Sequence, residues 1–307
     1  VEIDIIGVPL DFGTDKRGVD LGPDAIRYAG LHGRIRQLGH AVKDRGDIPV
    51  PVRDELEIGD LRLRYLEPIL EVQRQLFGMT RASAAGGRLP LVLGGDHSVG
   101  LGAIAGVASA FPGDRIGVIW VDTHGDFNVA ETTPSGNIHG MPLAALCGYG
   151  DPRLVSLGRA GVTRFIDPAN VVVVGARELD DGERLLMKEA GICVYSMAAV
   201  DRMGIHDVMA AAIRIASAGT RGIHLSFDMD VIDPQFAPGV GTPAAGGLTV
   251  REAHVVMELI AASDLLVGID IVEVNPILDV VNRTGELAVD LILSALGKRV
   301  WFSDGRL

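Results

Sequence analysis

The chain has 307 residues, with 28 Lys and Arg against 40 Asp and Glu, and a formal net charge of −12. That balance, without a dense Lys/Arg run, argues against a nucleic-acid partner; Cys147 and Cys193 are too few for a disulfide framework. Hydrophobic residues make up 48% and aromatics 5%, which suits a large α/β core, and no apolar run reaches the roughly 18 residues of a membrane span. Glu2 and Asp4 in the first apolar segment are unlike a signal peptide, so a soluble cytoplasmic protein is expected.

In chain order, Glu2 to Val8 reads as a strand closed by the turn G-V-P-L-D-F-G. Gly22 and Pro23 open a helix expected to run to about Leu38, with Gly39 as its stop. A short strand over 41–46 precedes an irregular polar stretch, 51–60, and a longer helix from about Leu61 to Ala85. Pro90 to Leu93 is a strand that delivers His97, followed by a helix over Val99 to Phe111. Arg115 to Val121 is apolar and β-branched, the pattern of a buried strand. Met141 to Cys147 reads as helix and Val171 to Val174 as a strand buried on both faces. A helix through Leu185 to Glu189 stops at Gly191, then come a strand over Ile192 to Tyr195 and a helix over Ile205 to Ala218. Ile223 to Asp230 is a strand ending in acids, followed by a Pro/Gly-rich loop, 233–247. Thr249 and Glu252 form a capping box that starts a helix to about Ala262. Leu266 to Val274 is the last strand and Thr284 to Leu296 the last helix. This alternation, without a linker or repeat, predicts one α/β domain over 1–307 with a mostly parallel sheet. Ligands of such sheets bind beyond the carboxyl ends of the strands.

Candidate chemistry collects at those ends. The segment W-V-D-T-H-G-D-F-N, 120–128, puts Asp122, His124 and Asp126 at every second position. If it stays extended, these side chains face one volume, about 6 to 7 Å apart along the backbone. Asp228 and Asp230 repeat the device, and His97 follows G-G-D. Gathered without a cation, such carboxylates would repel one another and take up protons. Asp122, Asp126, Asp228 and Asp230 supply four negative charges, which two divalent cations cancel. Two such ions sharing a water would make hydroxide available near neutral pH. The oxygen-rich donor set favours manganese, while zinc or cobalt stays open on affinity alone. Glu273, in V-E-V-N-P, is suited to bidentate pairing with a guanidinium, and equally to a turn. His139 lies in a Gly-flanked polar loop, where an imidazole can shuttle protons near neutrality or simply be solvated.

Together, G-G-D-H-S, D-T-H-G-D-F-N, S-G-N-I-H-G-M-P-L-A, S-F-D-M-D-V-I-D-P, G-V-G-T-P and V-E-V-N-P resemble the ureohydrolase signatures. The similarity is greatest to the bacterial arginase branch and covers nearly the whole chain. It implies a three-layer α/β/α sandwich with an eight-stranded, mostly parallel sheet of the arginase-deacetylase type. It also implies hydrolysis of L-arginine to L-ornithine and urea by attack of a metal-bridging hydroxide. By that resemblance His97, Asp122, Asp126 and Asp228 would hold one Mn2+, and Asp122, His124, Asp228 and Asp230 a second, with Asp122 and Asp228 bridging. Asp126 would orient the hydroxide, His139 matches the proton-shuttle position and Glu273 the glutamate near the guanidinium. Thr242 matches a threonine lining the pocket. Asn128, Thr133 and Ser135 match positions that take the α-carboxylate, and Asp180 and Glu183 those facing the α-ammonium.

The α-carboxylate positions tilt the reading away from agmatine or guanidinobutyrate. The intact ligand set weighs against a non-catalytic arginine- or ornithine-binding regulator. Two positions depart from the family pattern: Thr123 stands where alanine is usual, where its hydroxyl can add a hydrogen bond behind the ligands. Glu178 replaces a shorter side chain or aspartate at the pocket rim. The family implies a homo-oligomer, trimer or hexamer, for which Val300, Trp301 and Phe302 are candidate contacts.

Overall fold

A computed structural model describes residues 1–299; the candidate contacts Val300, Trp301 and Phe302 lie outside the described residues. The strands are β1 (Glu2–Val8), β2 (Ala41–Asp47), β3 (Leu89–Gly94), β4 (Gly117–Val121), β5 (Val171–Ala176), β6 (Cys193–Ser196), β7 (Ile223–Asp228) and β8 (Leu266–Val272). They form one sheet in the order β2-β1-β3-β8-β7-β4-β5-β6. Every pairing in it is parallel, so the expected mostly parallel sheet is wholly so.

The helices are α1 (Gly22–Tyr28), α2 (Leu31–Gln37), α3 (Leu66–Ala85), α4 (Gly100–Ser109), α5 (Pro142–Leu146), α6 (Pro152–Ser156), α7 (Asp181–Ala190), α8 (Met197–Met203), α9 (Ile205–Ala216), α10 (Val250–Ser263) and α11 (Arg283–Ala295). A parallel sheet needs crossover connections, and these cover both of its faces. One apolar layer packs α1, α2 and α8 to α11 on Ile5, Leu91, Ile119, Leu225 and Ile269. The other packs α3 to α7 on Ile6, Val92, Val118, Trp120 and Val173. Alternate residues of each strand serve opposite layers, which is why the strands read as unbroken apolar runs.

Register gives the second face an unusual row. Trp120 of β4 is paired with Ser226 of β7, and Ser226 with Asp270 of β8. Between the ends of β1 and β3 the backbones come so close that a Cβ on Gly95 would fall 1.9 Å from the Leu10 carbonyl oxygen.

The helix expected over 22–38 is two helices, because Gly30 takes a left-handed φ of 85° between α1 and α2. Likewise α3 begins at Leu66 and not near Leu61, since Tyr65 is left-handed (φ 56°) and turns the chain just before it. Helices α6 and α8 were not foreseen. Asp151 caps α6 by accepting the Arg153 N–H, with Pro152 in the first turn. The capping box of Thr249 and Glu252 opens α10 as expected.

Candidate active site

Four neighbouring strands in the middle of the sheet, β3, β8, β7 and β4, end side by side. His97 follows β3, Glu273 follows β8, Asp228 ends β7 with Asp230 just beyond, and Asp122 follows β4. The parallel arrangement therefore gathers at one edge residues as far apart in sequence as His97 and Glu273.

The Asp122–Asp126 segment does not stay extended. Beyond β4 the backbone bends, with the His124 N–H donating to Asp122 Oδ1 at 2.7 Å, and Asp126 is left-handed at φ 48°. The side chains converge through that turn, not through strand alternation. A matching turn follows β7, where the Asp230 N–H donates to Asp228 Oδ1 at 2.7 Å. Short acidic side chains suit both turns because they accept from their own backbone two residues on.

Two overlapping donor sets result. His97 Nδ1 lies 2.9 Å from Asp122 Oδ2 and 3.1 Å from both Asp126 Oδ2 and Asp228 Oδ2. His124 Nδ1 lies 3.1 Å from Asp230 Oδ2 and 3.4 Å from Asp122 Oδ1. Asp122 thus presents one oxygen to each set. His97, Asp122 and Asp126 are close enough to share an ion, as are Asp122, His124 and Asp230.

The electrostatics fit a cation there. Burial, then the charges of Asp230 and Asp122, push Asp228 well above the carboxylate range. Burial, then the Asp122 charge, pushes Asp126 up to about 6. His97 Nδ1 is buried without a hydrogen-bond partner. Its Nε2 contacts Ser226 Oγ at 2.8 Å, and Ser226 itself donates to Asp270 Oδ1 at 2.6 Å. The serine oxygen therefore accepts the Nε2–H, leaving a lone pair on Nδ1 aimed at three carboxylates. An ion between them answers both the lone pair and the clustered charge. The His97 ring stacks on Trp120, centroids 3.9 Å apart, and Trp120 Nε1 donates to Asp122 Oδ2 at 2.9 Å.

Above this cluster opens a cleft of about 430 Å³. Its lining includes His124, Asp126, Asn128, Thr133, Ser135, His139, Asp180, Glu183 and Thr242, so the expected substrate positions come together on it. Glu273 lies beneath, 1% exposed, with a left-handed φ of 63°. Its Oε1 accepts the His97 N–H at 3.0 Å and meets His139 Nδ1 at 3.2 Å, while Oε2 is buried without a partner. Burial alone would pull His139 down, but the hydrogen bond and charge of Glu273 outweigh it and carry it up to about 9.

Around the rim, Asn128 Nδ2 donates to Asp180 Oδ2 at 2.9 Å. Thr133 Oγ1 accepts the Gly136 N–H and Ser135 Oγ the Asn137 N–H, which folds their loop inward. Glu183 is buried, with Oε1 accepting the Phe127 N–H and Oε2 the Asp180 N–H, and burial pushes it up to about 8. Thr242 Oγ1 donates to Asp230 Oδ2 at 2.8 Å. Of the two departures from the family pattern, Thr123 donates its hydroxyl to the Asp230 carbonyl at 2.8 Å, and Glu178 stands exposed on the rim.

Two contributors escaped the sequence reading. Asp96 accepts the Gly13 N–H, and the Gly13 carbonyl accepts the His139 N–H, so Asp96 braces the histidine loop. Arg177 donates to the carbonyls of Asp230, Val231, Ala244 and Ala245, clasping the loop that carries Thr242. Asp96 sits inside the G-G-D-H motif and was available as a signal; nothing around Arg177 pointed to carbonyls some 50 residues away.

Fold and site define an α/β protein with a carboxylate–imidazole metal centre at the carboxyl edge of a parallel sheet. The chain belongs to the arginase family, whose model matches residues 1–297. The arginase of Bacillus caldovelox is 49% identical over 97% of this chain and 99% of its own length. The crystal structure of arginase from Bacillus cereus superposes with a TM-score of 0.92 at 48% identity, covering 98% of this chain and 100% of that one. That of Entamoeba histolytica arginase in complex with L-ornithine gives 0.87 at 35% identity, covering 97% and 99%.

Proposed function

We propose that the chain hydrolyses the guanidinium group of L-arginine to L-ornithine and urea, using two Mn2+ ions held by His97, Asp122, His124, Asp126, Asp228 and Asp230. The observation that carries this reading is the pair of donor sets sharing Asp122 beneath a cleft lined by His124, Asp126 and His139, with the unpartnered Glu273 Oε2 buried below it. The relatives that this chain matches at 47–49% identity over nearly their whole length are named arginases, which supports this activity. Four carboxylates against two imidazoles make a hard donor set, which favours manganese. When bound, the ions supply Lewis-acid activation of water near neutral pH.

The chain's own residues do the rest. Glu273, its Oε1 tied to the His97 N–H, offers Oε2 to the guanidinium nitrogens and orients the carbon for attack. Asp126, turned into the cluster by its left-handed backbone, holds the proton of the attacking water. His139, held protonated by Glu273, gives its proton to the departing ornithine nitrogen and recovers one from solvent through the cleft. Asn128, Thr133 and Ser135 receive the α-carboxylate, and Asp180 with Glu183 the α-ammonium. Thr242 steadies Asp230 from the cleft wall.

Among the described residues no helix is long and apolar enough to cross a membrane. A single catalytic domain, working in the cytoplasm as a homo-oligomeric trimer or hexamer, completes the reading, on the family resemblance. The test is to strip the metal, restore Mn2+ and measure urea from L-arginine and agmatine side by side. Urea from L-arginine alone is expected. Urea from agmatine instead would overturn the roles of Asn128, Thr133 and Ser135. No urea from either, with metal bound, would favour a binding protein.

A further inference from the structure

We infer that residues 58–65 form a buttress for the loop that carries Thr133 and Ser135, with Arg64 as its positioning residue, and that recognition of the α-carboxylate depends on it. This rests on the proposed assignment of those two hydroxyls to the α-carboxylate and adds the residues that hold them in place.

The loop needs support from outside. None of residues 129–135 is buried, and Glu131, Pro134 and Ser135 are exposed, so apolar packing does not fix them. They also belong to no helix or strand. A recognition site works only if its groups are held to within about 0.5 Å of the productive geometry. Thr133 Oγ1 and Ser135 Oγ are oriented by the Gly136 and Asn137 N–H groups that they accept, at 2.9 and 3.2 Å. Where the two hydroxyls sit therefore follows from where residues 136 and 137 sit.

Segment 58–65 sets that place. The Arg64 N–H donates to the Gly136 carbonyl at 3.0 Å. The Leu61 carbonyl packs so closely on Gly136 that a Cβ there would fall 1.8 Å from its oxygen. Arg64 Nη1 donates to Asn137 Oδ1 at 3.3 Å and to Asp15 Oδ1 at 2.5 Å. Arg62 Nη1 donates to the Ala130 carbonyl at 2.8 Å. The loop is thus gripped both before and after Thr133 and Ser135.

The buttress is itself anchored. The Tyr65 N–H donates to the Ile58 carbonyl at 2.8 Å, closing the segment on itself, and Leu63 and Tyr65 are buried. The Tyr65 ring meets Phe12, centroids 5.8 Å apart, and the Arg53 guanidinium lies 5.7 Å from its centre. Arg53 in turn donates to the Asp11 and Thr14 carbonyls, fixing the turn that carries Asp15. Arg64 stands where the three segments meet.

Steady-state kinetics of the full-length, Mn2+-loaded protein, with calorimetric binding of L-ornithine and agmatine, test this. Arg64→Met is expected to raise KM for L-arginine and Kd for L-ornithine about tenfold each. Its kcat should stay within about twofold of wild type, as for a loss of uniform binding. Kd for agmatine, which has no α-carboxylate, should not change. In a background carrying Thr133→Ala and Ser135→Ala, the same change should add almost nothing, because the contacts that Arg64 aligns are already gone. If Arg64→Met does not fold, Arg62→Met, altered at an exposed side chain, is held to the same outcomes. A variant that treats all three ligands as wild type does, or weakens all three alike, overturns the buttress. So does a penalty that multiplies in full with loss of the two hydroxyls. A wild type that loads Mn2+ but neither hydrolyses L-arginine nor binds L-ornithine overturns the functional reading, and the buttress with it.

Discussion

His139 Nδ1 lies 3.2 Å from Glu273 Oε1, the same oxygen that accepts the His97 backbone N–H. One carboxylate atom thus ties the residue proposed to move protons to the loop that delivers a proposed metal ligand. The other oxygen is left for the guanidinium. The arrangement makes the site's parts interdependent, and several measurements follow from it.

The first concerns pH. Glu273 carries His139 up to about 9, above the roughly 6.5 of a free imidazole. A raised folded-state pKa gives stability that is complete below the unfolded value and lost as pH rises through the folded one. The metal-free protein should therefore lose thermal stability between roughly pH 7 and 10, and His139→Asn should lose less of it. Parallel melting curves for the two proteins across that range would show that the pair contributes nothing.

Glu273→Gln keeps an acceptor for the His97 N–H but removes the charge offered to the substrate. Loss of such a placed charge typically removes about 3 to 4 kcal/mol of transition-state stabilisation, or a hundred- to a thousandfold in rate. With both Mn2+ ions retained by elemental analysis, kcat/KM for L-arginine should fall by that order. Asp126→Asn should fall at least as far. Full activity in either variant would remove the role assigned to it.

Asn128→Ala and Ser135→Ala should raise KM for L-arginine about ten- to a hundredfold, each tenfold corresponding to about 1.4 kcal/mol. Any residual turnover of agmatine, which has no α-carboxylate, should be little changed. Steady-state kinetics on both substrates distinguish recognition of the carboxylate from a general loosening of the rim, which would depress both alike.

Arg177→Met would leave four backbone carbonyls without their donor. Hydrogen bonds to a charged donor are worth about 1.5 to 3 kcal/mol each, and exposed carbonyls recover part of this from water. A net destabilisation of about 2 to 4 kcal/mol is expected in urea unfolding. KM should also rise, because the loop bearing Thr242 is released. A variant as stable as wild type would show that other contacts already fix the loop.

Metal removal should lower the melting temperature. An ion present at a thousand times its Kd stabilises by about 4 kcal/mol, and in a chain of 307 residues each kcal/mol is worth about 1.5 °C. A shift of roughly 6 °C per position is expected on adding Mn2+ to the stripped protein. Calorimetry at fixed free Mn2+ measures it; no shift would mean that the carboxylates are not closed by the ion.

Much of this site could be read before folding because strand ends carry a simple code: apolar run, turn, acid. Asp122, His124, Asp126, Asp228 and Asp230 announce themselves by spacing, and resemblance orders them. The spacing argument nevertheless gave the wrong geometry, since Asp126 reaches the cluster by a left-handed turn that sequence alternation does not encode. Ser226 and Asp270 were illegible for the opposite reason. They lie inside apolar strands, where a polar residue acquires meaning only once register shows its neighbour. Gly30 broke a helix that amphipathic spacing had joined, because left-handed glycine at a helix end and glycine within a helix look alike in a string of letters.

The place of β8 carries one more consequence. It lies between β3 and β7, joining β2-β1-β3 to β7-β4-β5-β6. All six proposed ligands are synthesised before residues 266–272, yet His97 and Asp228 stand on opposite sides of the seam that β8 fills. Closing so long a loop is entropically costly and slow. Completion of the cluster is thereby placed late in biosynthesis, after both parts of the sheet have formed. A nascent chain stalled before β8 would hold His97, which follows β3, apart from the five other proposed ligands, which lie at and beyond the ends of the adjacent strands β4 and β7.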